Sequence, residues 1–261
     1  MLRSLNTATT GMKAQQTNMD VIAHNMANAS TTGFKKGRAE FEDLLYQQMK
    51  EPGQATGLNA ISPTGVQLGL GVRTGAVQKE FSIGSSRTTE HPYDVQIEGK
   101  GFFRLKNEEG EIVYTRDGSF KRDQNGTIVD KNGLALDPQI TVPKDAVELS
   151  ISTRGEVSVL RDALAAPEVI GQIKLANFIN PAGLRALGRN NFIPTGASGS
   201  PMEGLPGKGH FGTVSQGFLE TSNVNIAEEM VNMITAQRTY EANSKIIQAS
   251  DQMLQTVNTL R

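Results

Sequence analysis

Both ends of this chain repeat apolar residues every seven positions, and neither end can bury its stripe alone. Near the N-terminus Leu5, Met12, Met19 and Met26 recur at that step, with Ala8, Gln15 and Ile22 midway. Near the C-terminus Ile226, Met233, Tyr240, Ile247 and Leu254 repeat it, with Met230 interleaved. A sustained seven-residue apolar period is the seam of paired helices, and a lone helix leaves it in water. Seams at opposite ends of 261 residues are therefore built to meet each other, or to meet other copies of the chain. That is the pattern of a subunit made for assembly.

The period predicts a first helix over about 2–27, closed by the turn-forming run Asn28-Ala-Ser-Thr-Thr-Gly33. Thr7, Thr9, Thr10 and Gly11 weaken it, so in isolation it is marginal in water. Each buried Leu or Met contributes roughly 1.5–3 kcal/mol, but only where a partner covers it. The last helix is better specified. Asn225 suits the N-cap, Glu228 sits where a capping box needs it, and Glu228 and Glu229 complement the helix dipole. From Ile226 to Leu260 there is neither Pro nor Gly.

Between these ends the period changes to two. Asp94-Val-Gln-Ile-Glu98, Phe102-Phe-Arg-Leu105, Ile112-Val-Tyr-Thr115, Val147 to Ile151, Glu156 to Val159 and Glu168 to Phe178 read as short strands. Asn125-Gly126 and Asn132-Gly133 are hairpin turns between such strands. The stretch from Phe34 to Thr74 is different. Phe41, Leu44 and Leu45 offer a short amphipathic turn. After it come the glycine- and proline-rich runs Glu51 to Gly57, Ser62 to Gly65 and Gly65 to Gly71. Two readings stand open there: a flexible linker, or an extended arm that orders against a neighbouring subunit.

The expected fold class is α+β, with N- and C-terminal helices forming a coiled-coil-like seam, an all-β central domain and an extended arm between. The expected layout is an N-terminal helical segment at 1–33 pairing with 222–261. An arm at 34–75, a β domain at 76–212 and a return linker at 213–221 separate it from the C-terminal helix at 222–261. The expected assembly interface is Leu5, Met12, Met19, Ile22, Met26, Ile226, Met230, Met233, Tyr240, Ile247 and Leu254. An intramolecular two-helix core remains the alternative use of the same residues.

Composition narrows the chemistry. With 26 basic and 27 acidic side chains the net charge is −1, and no basic stripe points to nucleic acid. Absence of cysteine excludes disulfides, thiolate metal sites and a cysteine nucleophile. No apolar run is long enough to span a membrane. The opening Met1-Leu-Arg-Ser-Leu-Asn-Thr-Ala8 lacks a secretory core, so the expectation is cytoplasmic residence or exit without a cleavable signal.

Catalytic motifs fail in turn. Gly99-Lys100 and Gly207-Lys208 are each followed by Gly, not the Ser or Thr of a phosphate loop. Gly207-Lys-Gly-His-Phe-Gly212 has dinucleotide-motif spacing but follows a Pro/Gly loop and opens no helix. Asp123 to Asp130 places its Gly too early for a calcium loop. His24, His91 and His210 lie in unrelated segments, and Glu108-Glu109 and Glu228-Glu229 fall at a turn and a helix start. No G-x-S-x-G elbow is present. No catalytic residue, metal ligand or cofactor is expected.

Specific stretches carry a resemblance. His24-Asn-Met-Ala-Asn-Ala-Ser-Thr-Thr-Gly-Phe-Lys35 resembles the N-terminal signature of flagellar rod and hook proteins, and Leu219 to Lys245 closely resembles their C-terminal signature. Gly99-Lys-Gly-Phe-Phe103 and Tyr114-Thr-Arg-Asp-Gly-Ser-Phe120 resemble the β-domain motif of the longer members. The resemblance implies a subunit that polymerises with itself into a hollow helical shaft crossing the periplasm. The implied partners are proximal rod proteins, the hook protein, the surrounding P- and L-ring proteins and the flagellar export apparatus. It also implies that the arm at 46–72 is an insertion the hook protein lacks, stiffening the tube. The residues alone fit this, because a heterologous contact that does not close on itself gives an open filament.

Overall fold

The computed structural model describes residues 2–51, 55–57, 60–61, 64–107, 109–161 and 166–259. The loop readings at 52–54, 58–59 and 62–63, the turn residue Glu108 and the helix end at Leu260 lie outside the described residues. Helices stand at both ends with β structure between, so the chain is α+β. It divides into two compact units, one of residues 1–26, 37–78 and 226–261, the other of residues 27–36 and 79–225.

The first unit holds α1 (Leu2–Ala27) and α2 (Ile226–Thr259). α2 begins directly after Asn225 and carries Glu228 and Glu229 in its first turn, where their charge favours the helix start. Between the helices in sequence lies a two-stranded antiparallel ribbon. Gly37–Asp43 pairs with Val72–Lys79, Tyr46–Lys50 with Val66–Gly69, and Ala55–Gly57 with Ala60–Ile61. The short turn expected at Phe41 to Leu45 is instead strand through Asp43, and the glycine-punctuated run after it is the returning strand. The reason is exposure. Nearly every side chain of Tyr46–Lys50 and Val66–Gly69 faces solvent, so no buried face imposes alternation on the sequence.

The ribbon is tied to α1 at two points. Asn25 bonds both backbone groups of Gly37, its Oδ1 accepting from the Gly37 N–H and its Nδ2 donating to the Gly37 carbonyl, each at 2.8 Å. Farther along, Thr10 Oγ1 accepts from the Val72 N–H at 3.3 Å. Gly71 there has φ +126°, and a methyl on it would lie 2.2 Å from Thr10 Oγ1, so only glycine fits.

The second unit is the β body. Among the described residues its main sheet runs Phe120–Arg122, Ile128–Asp130, Ala135–Leu136, Phe102–Lys106, Ile112–Thr115, Asn191–Ile193, Arg185–Gly188, with Leu175–Asn177 and Met202–Gly204 branching from it. The pairings are antiparallel, and the two Asn-Gly turns join neighbouring strands as their type requires. Period two decides the packing. Phe103 and Leu105 enter the main core with Val113, Phe120, Ile128 and Leu136. Phe102 and Tyr114 point to the other face, where they meet Phe178, Phe192 and Phe81 edge to face. A smaller sheet of Glu148–Ile151, Glu156–Leu160 and Glu168–Gln172 extends the main core through Leu149, Val157 and Val159.

Candidate assembly surfaces

Within the first unit the two helices touch at three points in antiparallel order. Ser4 Oγ lies 3.4 Å from Ser250 Oγ, and Asn25 Nδ2 donates to Glu229 Oε2 at 3.4 Å. Between them a methyl on Gly11 would lie 2.9 Å from Asn243 Nδ2. Each contact is a whole number of heptads from the next on both helices, so the register is constant. A cavity of about 390 Å³ opens beside this line, with Asn18, Asn25, Arg38, Glu229 and Thr235 in its wall.

The side chains at these three contacts are small, amide or carboxylate, not large and apolar. Ser4, Gly11, Asn18 and Asn25 form one row, and Glu229, Ala236, Asn243 and Ser250 form the other. Ala236, Ser250, Asn25 and Glu229 are buried. The sequence reading missed this row because it followed hydrophobicity. The signal was present as a strict seven-residue step of small and amide side chains.

The eleven expected interface residues divide into three groups. Ile22 is buried. Leu5, Met12, Met19 and Met26 on α1, and Met233, Ile247 and Leu254 on α2, are half-buried. Ile226, Met230 and Tyr240 are exposed, at 52%, 51% and 37%. They are joined on α2 by exposed Val231, Ile234, Ile246, Met253 and Val257, so this helix carries far more open apolar surface than scattered single residues. The ribbon adds exposed Leu45, Tyr46, Met49, Val66, Leu68 and Leu70.

Inside the β body the N- and C-terminal signatures meet. Lys35 Nζ is fully buried, hydrogen bonded to Glu220 Oε1 and to the Ser82 carbonyl at 2.6 Å. Glu220 Oε1 also accepts from the Gly84 N–H at 2.9 Å, and Glu220 Oε2 lies 3.5 Å from Arg116 Nη1. Arg116 Nη2 donates to the Gly99 carbonyl at 2.7 Å, while its buried Nε finds no hydrogen-bond partner among the described residues. Burial pushes Lys35 below the usual lysine range while Glu220 opposes that, and burial likewise lowers Arg116. Beside them Asn223 Oδ1 accepts from the Lys36 N–H at 2.7 Å, and Asn223 Nδ2 donates to the Glu80 carbonyl at 2.8 Å.

Among the described residues no group of three or more His, Asp or Glu is placed to hold a metal ion, and no helix is long and apolar enough to cross a membrane.

Comparison with known proteins places this arrangement among relatives. Residues 5–35 match the flagella basal body rod protein family, residues 96–159 the flagellar hook protein FlgE/F/G D1 domain, and residues 215–260 the flagellar basal body rod FlgEFG protein C-terminal family. The flagellar basal-body rod protein FlgG of Borreliella burgdorferi is 48% identical over 263 residues, covering 100% of this chain and 99% of its own. Its counterpart in Buchnera aphidicola subsp. Schizaphis graminum is 47% identical over 260 residues, covering 100% of both chains. That of Caulobacter vibrioides is 45% identical over 261 residues, again covering 100% of both.

Proposed function

This chain belongs to the flagellar basal-body rod protein family, and from that premise we propose that it is the structural subunit of the distal rod, polymerising into a hollow helical shaft that carries torque from motor to hook. The observation that carries the reading is similarity along the full chain to rod proteins of the same length. It favours the distal rod over a full-length proximal rod protein of the same family. The location is then the basal body, where the rod crosses the periplasm.

The mechanism is mechanical. A shaft needs stiffness, and stiffness needs every subunit held by neighbours along an open helical path. The terminal helices supply the inner wall through a coiled-coil-like seam. Leu5, Met12, Met19, Ile22 and Met26 act from α1, and Ile226, Met230, Met233, Tyr240, Ile247 and Leu254 from α2. Support comes from the apolar surface that α2 leaves open, since each such side chain gains roughly 1.5–3 kcal/mol on burial by a neighbour. The ribbon at 46–72 acts as an extended arm lying against an adjoining subunit, which its exposed Tyr46, Met49, Val66 and Leu68 suit. The β body bears lateral contacts.

Other copies of the chain are the main partner. Proximal rod proteins and the hook protein adjoin the rod at its ends, and the P- and L-ring proteins surround it. Delivery is by the flagellar export apparatus, a route that marginal terminal helices suit because they gain order on arrival.

The test is Met233→Asp, with Met19→Asp beside it. Each places a charge in the seam and is expected to abolish rod assembly while the β body keeps its fold by near-ultraviolet circular dichroism. Motile cells with normal rods carrying Met233→Asp would contradict the seam assignment.

A further inference from the structure

Among the buried charges of the β body, three stand together and take no part in the assembly surfaces. Lys35, Arg116 and Glu220 are each more than nine-tenths buried, and they come from distant parts of the chain. Around them gather the carbonyls of Ser82 and Gly99 and the amide of Gly84. Of these pieces, Arg116 directly follows the strand Ile112–Thr115 and Gly99 directly follows the strand Val95–Glu98, both inside the body. The other two, residues 31–36 and 217–223, are the ends of the chain path that enter and leave the body.

We propose that Lys35, Arg116 and Glu220 form an ionic clasp that makes the docking of residues 31–36 and of residues 217–223 a single event. The reason is charge stranding. If residues 31–36 docked without Glu220, the Lys35 ammonium would be buried with only a carbonyl for company. If residues 217–223 docked without Lys35, the Glu220 carboxylate would rest on one amide and an arginine at 3.5 Å. A buried charge deprived of its partner is strongly destabilising, whereas the complete set is tolerated. Neither segment therefore gains by docking first.

Backbone contacts make the dependence reciprocal. The Gly33 N–H donates to the Glu220 carbonyl at 2.8 Å, and the Thr221 N–H donates to the Ser85 carbonyl at 2.9 Å. A methyl on Gly84 would lie 2.0 Å from the Thr221 carbonyl oxygen, so the pieces close with no room to spare. Asn223 adds its bonds to Lys36 and Glu80. An apolar trio of similar volume would hold as well or better, so the charges serve register and mutual dependence rather than net stability. Ala27 ends α1 eight residues before Lys35, and Ile226 opens α2 six residues after Glu220. The segment leaving one helix and the segment entering the other are thus fixed by one event, whatever the helices then join.

Native-state hydrogen exchange on the unmodified full chain, followed by mass spectrometry across low denaturant, tests this directly. Residues 31–36 and 217–223 are expected to open with one free energy and one denaturant slope. Two separate openings would overturn the clasp. Lys35→Met gives the second arm. Protection is expected to fall at least about tenfold in both segments together, while Phe102–Lys106 keeps its native protection. Adding Glu220→Gln to Lys35→Met should restore part of it, because the stranded carboxylate is gone. Loss confined to residues 31–36, or no recovery in the double variant, counts against the proposal. Should Lys35→Met fail to fold, the measurement on the unmodified chain still decides.

Discussion

Asp130 carries a carboxyl where its charge is disfavoured. The residue is 3% exposed, its Oδ2 accepts from Asn132 Nδ2 at 2.7 Å, and its Oδ1 has no hydrogen-bond partner. Burial pushes its pKa above the usual carboxylate range, with nearby Asp117 adding to the shift and Asn132 and Lys131 opposing it. A pKa raised in the folded state means that the folded protein holds its proton at pH values where the unfolded chain has released it. The contribution to stability is therefore fully present below the ordinary aspartate range and lost as pH rises through the folded value. Asp130→Asn keeps an acceptor for Asn132 and removes the charge. Its melting temperature is expected to exceed that of the parent at pH 7, with the advantage shrinking as pH falls toward about 4. Thermal melts across that range check it, and an equal benefit at every pH would refute the assignment.

At the scale of elements, the helix pair depends on close approach along its small and amide row. Gly11→Leu puts a branched side chain where even a methyl comes within 2.9 Å of Asn243. Overpacking of this kind costs about 1–3 kcal/mol. The variant should release amide exchange throughout α1 while Phe102–Lys106 stays protected, and unchanged protection in α1 would refute the register. Gly11→Ala is the control. It meets only the movable end of the Asn243 side chain and gains about 1 kcal/mol of helix propensity, so it should be close to neutral. The same element shows how far sequence reaches. Both helices were legible in their seven-residue apolar step, though most of that step stays half-buried or exposed, and the strands around Phe102 and Ile112 because a buried face imposes its period on the residues. The Asn-Gly turns were legible because they answer a local φ demand. The ribbon was not, since strands exposed on both sides carry no alternation. The row Ser4, Gly11, Asn18, Asn25 was hidden because small polar residues mark contact by what they lack. Lys35 and Glu220 stood inside recognisable signatures, yet nothing local ties a lysine after α1 to a glutamate before α2.

For the whole molecule, the two units differ in what holds them. The β body has a continuous core running from Val95 to Val214, with an aromatic cluster on the opposite face of its main sheet. Among the described residues of the helical unit, the buried apolar side chains are Ala8, Ala14, Ile22 and Ala236. Three of these are alanines, too small to offset the ordering of two long helices and a ribbon by burial alone. The helical unit of a lone chain should thus sit near its melting point, whereas the β body should not. Heating dilute protein is expected to give two transitions, an early one in the helical signal at 222 nm and a later one in the near-ultraviolet signal of the buried Tyr114 in the β body. Raising the concentration should move only the first. Association with other copies stabilises whatever binds and leaves an independent unit where it was. One coincident transition at every concentration would mean that each chain already satisfies its own helices, and the basis for reading α2 as an interface would be gone.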